Sequence, residues 1–152
     1  MHVTLSISCP TYIRKFVEKS FGIEYELNQS DWIGIFIYSL LQKKTHPTYH
    51  YRSQRKTFEY DDKLRLRFSM SMAEKNGFFL IGSDEKKIIK CIDDIFRKTI
   101  YRQALINHDN YGIDYQTTIL NNLETYDITE DDLPYETLRK DFNRVKKELF
   151  KN

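Results

Sequence analysis

The stretch KLRLRF at residues 63–68 alternates charge and hydrocarbon, so on an extended strand Lys63, Arg65 and Arg67 share one face and Leu64, Leu66 and Phe68 the other. A row of cations on a pleated surface suits nucleic-acid recognition. A two-stranded ribbon fits the major groove, and arginine grips guanine or phosphate through its forked guanidinium. Upstream, Arg52, Arg55 and Lys56 are interleaved with Tyr49, Tyr51 and Phe58, which thickens the basic and aromatic character of the segment. The same residues also read as a solvated strand face on which Lys and Arg guard an edge against aggregation.

A second basic group, with Arg144, Lys146 and Lys147 at its centre, falls near the end of the chain on the helix expected over 134–150. There Leu138, Phe142, Val145 and Leu149 recur at helical spacing and are expected to pack. Glu130, Asp131 and Asp132 stand before the helix. Acids first and bases last satisfy the helix dipole without any partner, and they turn an acidic end toward any phosphate. Packing is therefore the first expectation for this helix, and phosphate contact by its basic end the second.

Catalytic patterns are weaker. His46 and His50 have the four-residue spacing of helical metal ligands, but Pro47 and the strand-rich neighbourhood keep them from sharing a helix face. Asp61-Asp62-Lys63 and Glu85-Lys86-Lys87 match half of a metal-nuclease signature, yet with 30% charged residues such triplets arise by chance. There is no phosphate-cradling glycine loop and no nucleophile elbow. The expectation is a protein that is not an enzyme, with no cofactor and no metal.

These groups must be positioned by a folded chain. At 152 residues, with 40% hydrophobic and 14% aromatic residues, the sequence is long and apolar enough to bury a core without a disulfide or metal. A formal charge of +2 is too small to decide for or against nucleic acid, so local clustering carries the argument. Cys9 and Cys91 form no CxxC and suit two inert buried thiols in a reducing, cytoplasmic setting. The longest near-apolar run, WIGIFIYSLL, is half a membrane span, so no membrane contact is expected.

Alternation in VTLSIS predicts a strand over 3–8, and Pro10 then opens a helix TYIRKFVEKSF that Gly22 ends, with Ile13, Phe16 and Val17 on its inner face. Ser30 is placed to cap a second helix with Asp31 in its first turn; this helix is apolar almost all round, which suggests burial in the domain or across a dimer interface. Residues 46–81 read as strands and hairpins, with a turn at Asn76-Gly77. Ser83 caps a long amphipathic helix striped by Ile88, Ile92, Ile95, Phe96, Thr99 and Ile100, ending near 107–112. Helices over about 115–125 and 134–150 follow.

The block strand VTLSIS, helix PTYIRKFVEKSFG and helix SDWIGIFIYSLLQ resembles the ribbon-helix-helix family of DNA-binding proteins over about the first 45 residues. That resemblance implies pairing of the strands of two chains and outward base-facing residues Thr4, Ser6 and Ser8. The loop GIEYELNQ is longer than the family's turn, and Asp31 stands where that family makes a phosphate contact. A plain αβ packing unit accounts for the same pattern. The C-terminal block ILNNLETYDITEDDLPYETLRKDFNRVKKEL is similar to small uncharacterised proteins of phages and mobile elements in Bacteroidetes, which implies a setting and no activity.

The sequence thus predicts an α+β protein, an αβ half over 1–82 carrying the basic ribbon and a helical, helix-turn-helix-like half over 83–152, within one compact unit. Its expected role is non-catalytic DNA binding or regulation as a homodimer. The alternative is a structural or assembly module that makes protein contacts, such as a phage accessory protein.

Overall fold

The order of elements in the computed structural model, which describes residues 1–41, 60–77, 80 and 82–151, is that of an α+β protein. They are β1 (His2–Cys9), α1 (Thr11–Phe21), α2 (Trp32–Leu40), β2 (Asp62–Ser69), α3 (Met70–Asn76), α4 (Gly82–Tyr111), α5 (Tyr115–Thr125) and α6 (Tyr135–Leu149). The chain divides into two compact units, Met1–Ile92 and Asp93–Asn152, with the boundary inside α4. No described helix is long and apolar enough to cross a membrane.

In the N-terminal unit β1 and β2 form an antiparallel pair, His2 opposite Ser69 and Cys9 opposite Asp62. Strand alternation sends Ile7, Cys9, Leu64, Leu66 and Phe68 inward. There they join Ile13, Phe16 and Val17 of α1 and Ile33 and Ile37 of α2 in the core. Pro10 precedes α1 and Gly22, at φ +98°, follows it, a backbone angle that side chains with a Cβ rarely adopt. Burial pushes the Cys9 thiol up to about 12, so it is inert; Cys91 is only half-buried.

The strand of VTLSIS pairs within its own chain, with β2. Two expectations are corrected. Asn76-Gly77 is not a hairpin turn: Ser69 accepts a hydrogen bond from Met72 N, helix-forming residues follow, and Gly77 at φ +84° receives the end of α3. The cap of α2 is Asp31 rather than Ser30, because Asn28 Oδ1 accepts from both Ser30 N (2.7 Å) and Asp31 N (3.1 Å) and turns the chain one residue later.

The long loop after α1 is used structurally. Arg67 N donates to Tyr25 O (2.9 Å) and Leu27 N donates to Arg67 O (2.7 Å), so residues 25–27 pair with the outer edge of β2. Tyr38 Oη, from α2, donates to Leu27 O (3.0 Å) and its ring meets Phe68 edge-on. That chain of contacts ties helix, loop and ribbon together.

In the C-terminal unit Ile100, Ala104, Ile119, Leu138 and Phe142 are buried. Asp114 caps α5 through Thr117 N (2.7 Å), and Gly112 at φ +66° follows α4. The helical stripe of α6 is shorter than its periodicity predicts: Leu138 and Phe142 are buried, but Leu149 is 58% exposed.

Candidate nucleic-acid interface

The strand register brings the hydroxyl row and the basic row together. Thr4 stands opposite Arg67, Ser6 opposite Arg65 and Ser8 opposite Lys63. Residues opposite each other in an antiparallel pair project to the same face, so a row of small hydroxyls lies beside a row of cations on one intrachain ribbon. Thr4, Ser6, Lys63 and Arg65 are exposed, while Ser8 and Arg67 are half-buried.

The six side chains are not equally available. Ser8 Oγ accepts from Tyr60 N (2.6 Å). Arg67 Nη2 lies 3.1 Å from His2 Nδ1, and His2 Nε2 lies 3.1 Å from Glu26 Oε1. With Arg67 as donor, Nδ1 accepts and Nε2 carries the proton toward Glu26. This relay anchors Arg67 at one end of the ribbon. Among the described residues neither Lys63 nor Arg65 makes an ion pair or side-chain hydrogen bond, which leaves these two as the ribbon's available cations.

At the opposite end Asp62 is committed to structure. Arg14 Nε donates to its Oδ2 (2.6 Å) and Lys63 N to its Oδ1 (2.8 Å). Burial alone would raise the carboxyl, but the Arg14 guanidinium and these hydrogen bonds hold it below the ordinary range. Arg14 also pairs with Glu18 (2.8 Å). Beside this network an open cleft of about 410 Å³ is lined by Arg14, Lys63 and Arg65 together with Glu18, Glu24, Asp61 and Asp62. Carboxylates thus flank the ribbon at this end, beside Lys63 and Arg65. Among the described residues no group of three His, Cys, Asp or Glu is arranged to hold a metal.

The basic end of α6 is mostly engaged. Arg144 pairs with Asp141 (2.6 Å) and Glu148 (3.6 Å), and Lys146 Nζ sits 4.6 Å over the Tyr115 ring and 5.6 Å over that of Phe142. Lys147 alone of the three is exposed with no such contact among the described residues. Arg52, Arg55, Lys56, His46 and His50 lie outside the described residues.

No family model, curated protein or solved structure matches the chain. Sequence reasoning missed His2 and Glu26, whose relevance comes only from a contact with Arg67, 65 residues from His2. The pairing of the hydroxyl row with the basic row was likewise invisible, although each row alternates plainly.

Asp141 supplies a prediction. Burial would raise its carboxyl, but hydrogen bonds from Tyr101 Oη (2.7 Å) and Arg144, with Arg97 beside it, bring it below the ordinary range. A depressed folded-state value means that its contribution is fully present above the unfolded value and lost as pH falls through the folded one. The C-terminal unit should therefore lose stability as pH falls from about 5 through the depressed folded-state value, and Asp141→Asn should reduce that acid sensitivity while lowering stability at neutral pH. Thermal melts across that range, wild type against variant, test it; equal acid sensitivity would remove Asp141 as a cause.

Proposed function

We propose that this chain is a non-catalytic DNA-binding regulatory protein that lays the β1–β2 ribbon into the major groove. The observation that carries the reading is the cross-strand register, which sets Ser6 opposite Arg65 and Thr4 opposite Arg67 on one outward face. Two strands roughly 4.8 Å apart, bearing small hydroxyls on one and cations on the other, can enter a groove about 12 Å wide. Lys63 and Arg65 contact phosphate or guanine, and the hydroxyls allow close approach. Arg67, braced by His2 and Glu26, holds the end of the ribbon in shape. The mobile-element setting implied by the C-terminal resemblance is compatible with such a regulator.

Salt-titrated binding to generic duplex DNA tests the proposal. Each neutralised phosphate steepens the dependence of log affinity on log salt by roughly 0.9, so Lys63→Ala with Arg65→Ala should flatten it by up to about 1.8. Lys146→Ala with Lys147→Ala should flatten it less, since Lys146 is engaged with Tyr115 and Phe142. The duplex should be recovered uncut in the presence of Mg²⁺. Binding without salt dependence, or a larger effect from the α6 pair, would sink the ribbon reading; no binding at all would favour the assembly role.

A further inference from the structure

The C-terminal unit carries two exposed surfaces that match each other. One is a groove of about 410 Å³ where α5 leads into the loop before α6. Its floor is Leu120, Leu123 and Ile128, with Leu120 42% exposed, and its rim is Glu124, Asp127 and Glu130, all exposed. The other is the C-terminal end of α6, where Leu149 is 58% and Phe150 72% exposed between the exposed cations Lys147 and Lys151. One surface is an apolar hollow ringed by acids and the other an apolar knob flanked by two lysines, with the neighbouring Glu148 paired to Arg144 (3.6 Å). We infer that the groove receives the Leu149-Phe150 knob of a second copy of this chain, reciprocally, so that two C-terminal units pair about a two-fold axis.

A chain cannot fill its own groove with its own knob. The groove ends at Glu130, close in sequence to the start of α6 at Tyr135, while the knob lies at the far end of that helix, about 21 Å away at 1.5 Å per residue. The same spacing favours reciprocity. Two copies of α6 laid antiparallel bring each knob toward the other copy's groove, and a contact that is made twice closes on itself instead of propagating. Apolar burial supplies attraction, while the acidic rim and the lysines select orientation and discriminate against knobs of other charge. This interface involves neither β1 nor α2, and it does not depend on the DNA reading.

Sedimentation velocity on the full chain without DNA, from about 1 to about 300 μM, reads the association directly. The wild type should be a reversible monomer–dimer system. Phe150→Ala should weaken dimerisation at least roughly tenfold, because it removes the central apolar anchor, and Glu124→Lys with Glu130→Lys should weaken it comparably. Combining that pair with Lys147→Glu and Lys151→Glu reverses both surfaces and should restore dimerisation to within about threefold. All five side chains are exposed, but Glu130 also accepts from Tyr135 N (3.0 Å) at the start of α6. Circular dichroism therefore checks the fold of each variant, and Glu124→Lys alone, expected to weaken dimerisation in the same direction, replaces the pair if the pair unfolds. A monomeric wild type over the whole range overturns the inference. So does dimerisation that ignores both the knob and the groove substitutions, or assembly that grows past the dimer with concentration. Failure of the charge-reversed chain to regain association would show that the acidic rim is not the partner of the lysines, and the paired-surface assignment would fall.

Discussion

Gly34→Ala should destabilise the N-terminal unit by about 3 kcal/mol, at the upper end of what overpacking a buried contact costs. A Cβ on Gly34 would sit 1.8 Å from Asn28 O, 2.9 Å from Asn28 C and 3.0 Å from Asn28 N. These are backbone atoms, and they have little room to retreat. Asn28 Oδ1 holds Ser30 N and Asp31 N, and its Nδ2 donates to Tyr25 Oη (2.8 Å) and Asp31 Oδ2 (3.0 Å), while Tyr25 Oη itself donates to Asp31. Intrinsic helix propensity pushes the other way, because alanine in a helix interior is favoured over glycine by about 1 kcal/mol. The sign of the result therefore separates close approach from propensity. A shift of roughly 2–4 °C per kcal/mol places the expected fall in melting temperature at roughly 6–12 °C. Trp32, the single tryptophan, lies two residues away and reports the transition. Ile35→Ala is the control: the neighbouring side chain is 54% exposed and its loss should be nearly neutral. An alanine at 34 that raises the melting temperature would mean that the Asn28 turn yields easily. The consequence reaches the ribbon, since the 25–27 segment that covers the edge of β2 precedes that turn and is held by Tyr38 of α2.

Local signals were legible where their causes are local. Pro10 and Gly22 bracket α1, the apolar stripe predicts the long helix α4, and alternation gives both strands their correct inner faces. Each depends on the residue itself and on neighbours within a turn or two. Reading failed where a cap was overlooked or where a distant residue decides. Asn76-Gly77 suits a tight hairpin and a helix end equally, and only the capping of Met72 by Ser69, with no strand between, selects the helix. Leu149 continues the stripe of Leu138 and Phe142, but periodicity says nothing about how far the surface beneath extends. The cations show the same limit. Lys146 looks like a solvated base until Tyr115, 31 residues earlier, comes under it, and Arg67 looks like its neighbours until His2 reaches it across β1 and β2.

Phe142→Ala should produce the largest loss of all, about 3–5 kcal/mol, by opening a cavity in the C-terminal unit. Its side chain is almost fully buried and its ring is met from two sides, by Tyr101 from α4 at 5.3 Å and by Tyr115 from α5 at 5.0 Å. It therefore joins all three helical elements of the unit. Removing the ring forfeits its hydrocarbon burial and both aromatic contacts, and it also takes one face from beneath Lys146. Tyr101 cannot simply swing into the space. Its hydroxyl is held by Asp141 at 2.7 Å, and Asp141 is in turn gripped by Arg97 and Arg144, so the cavity would stay largely open. Phe142→Leu keeps most of the volume and should cost less, about 1–1.5 kcal/mol. Denaturant unfolding followed by far-ultraviolet circular dichroism measures both. Equal losses for leucine and alanine would mean that ring contacts, and not filled volume, set the stability here. A loss below about 1 kcal/mol for alanine would mean that Tyr101 and Tyr115 collapse onto each other despite the Asp141 clamp.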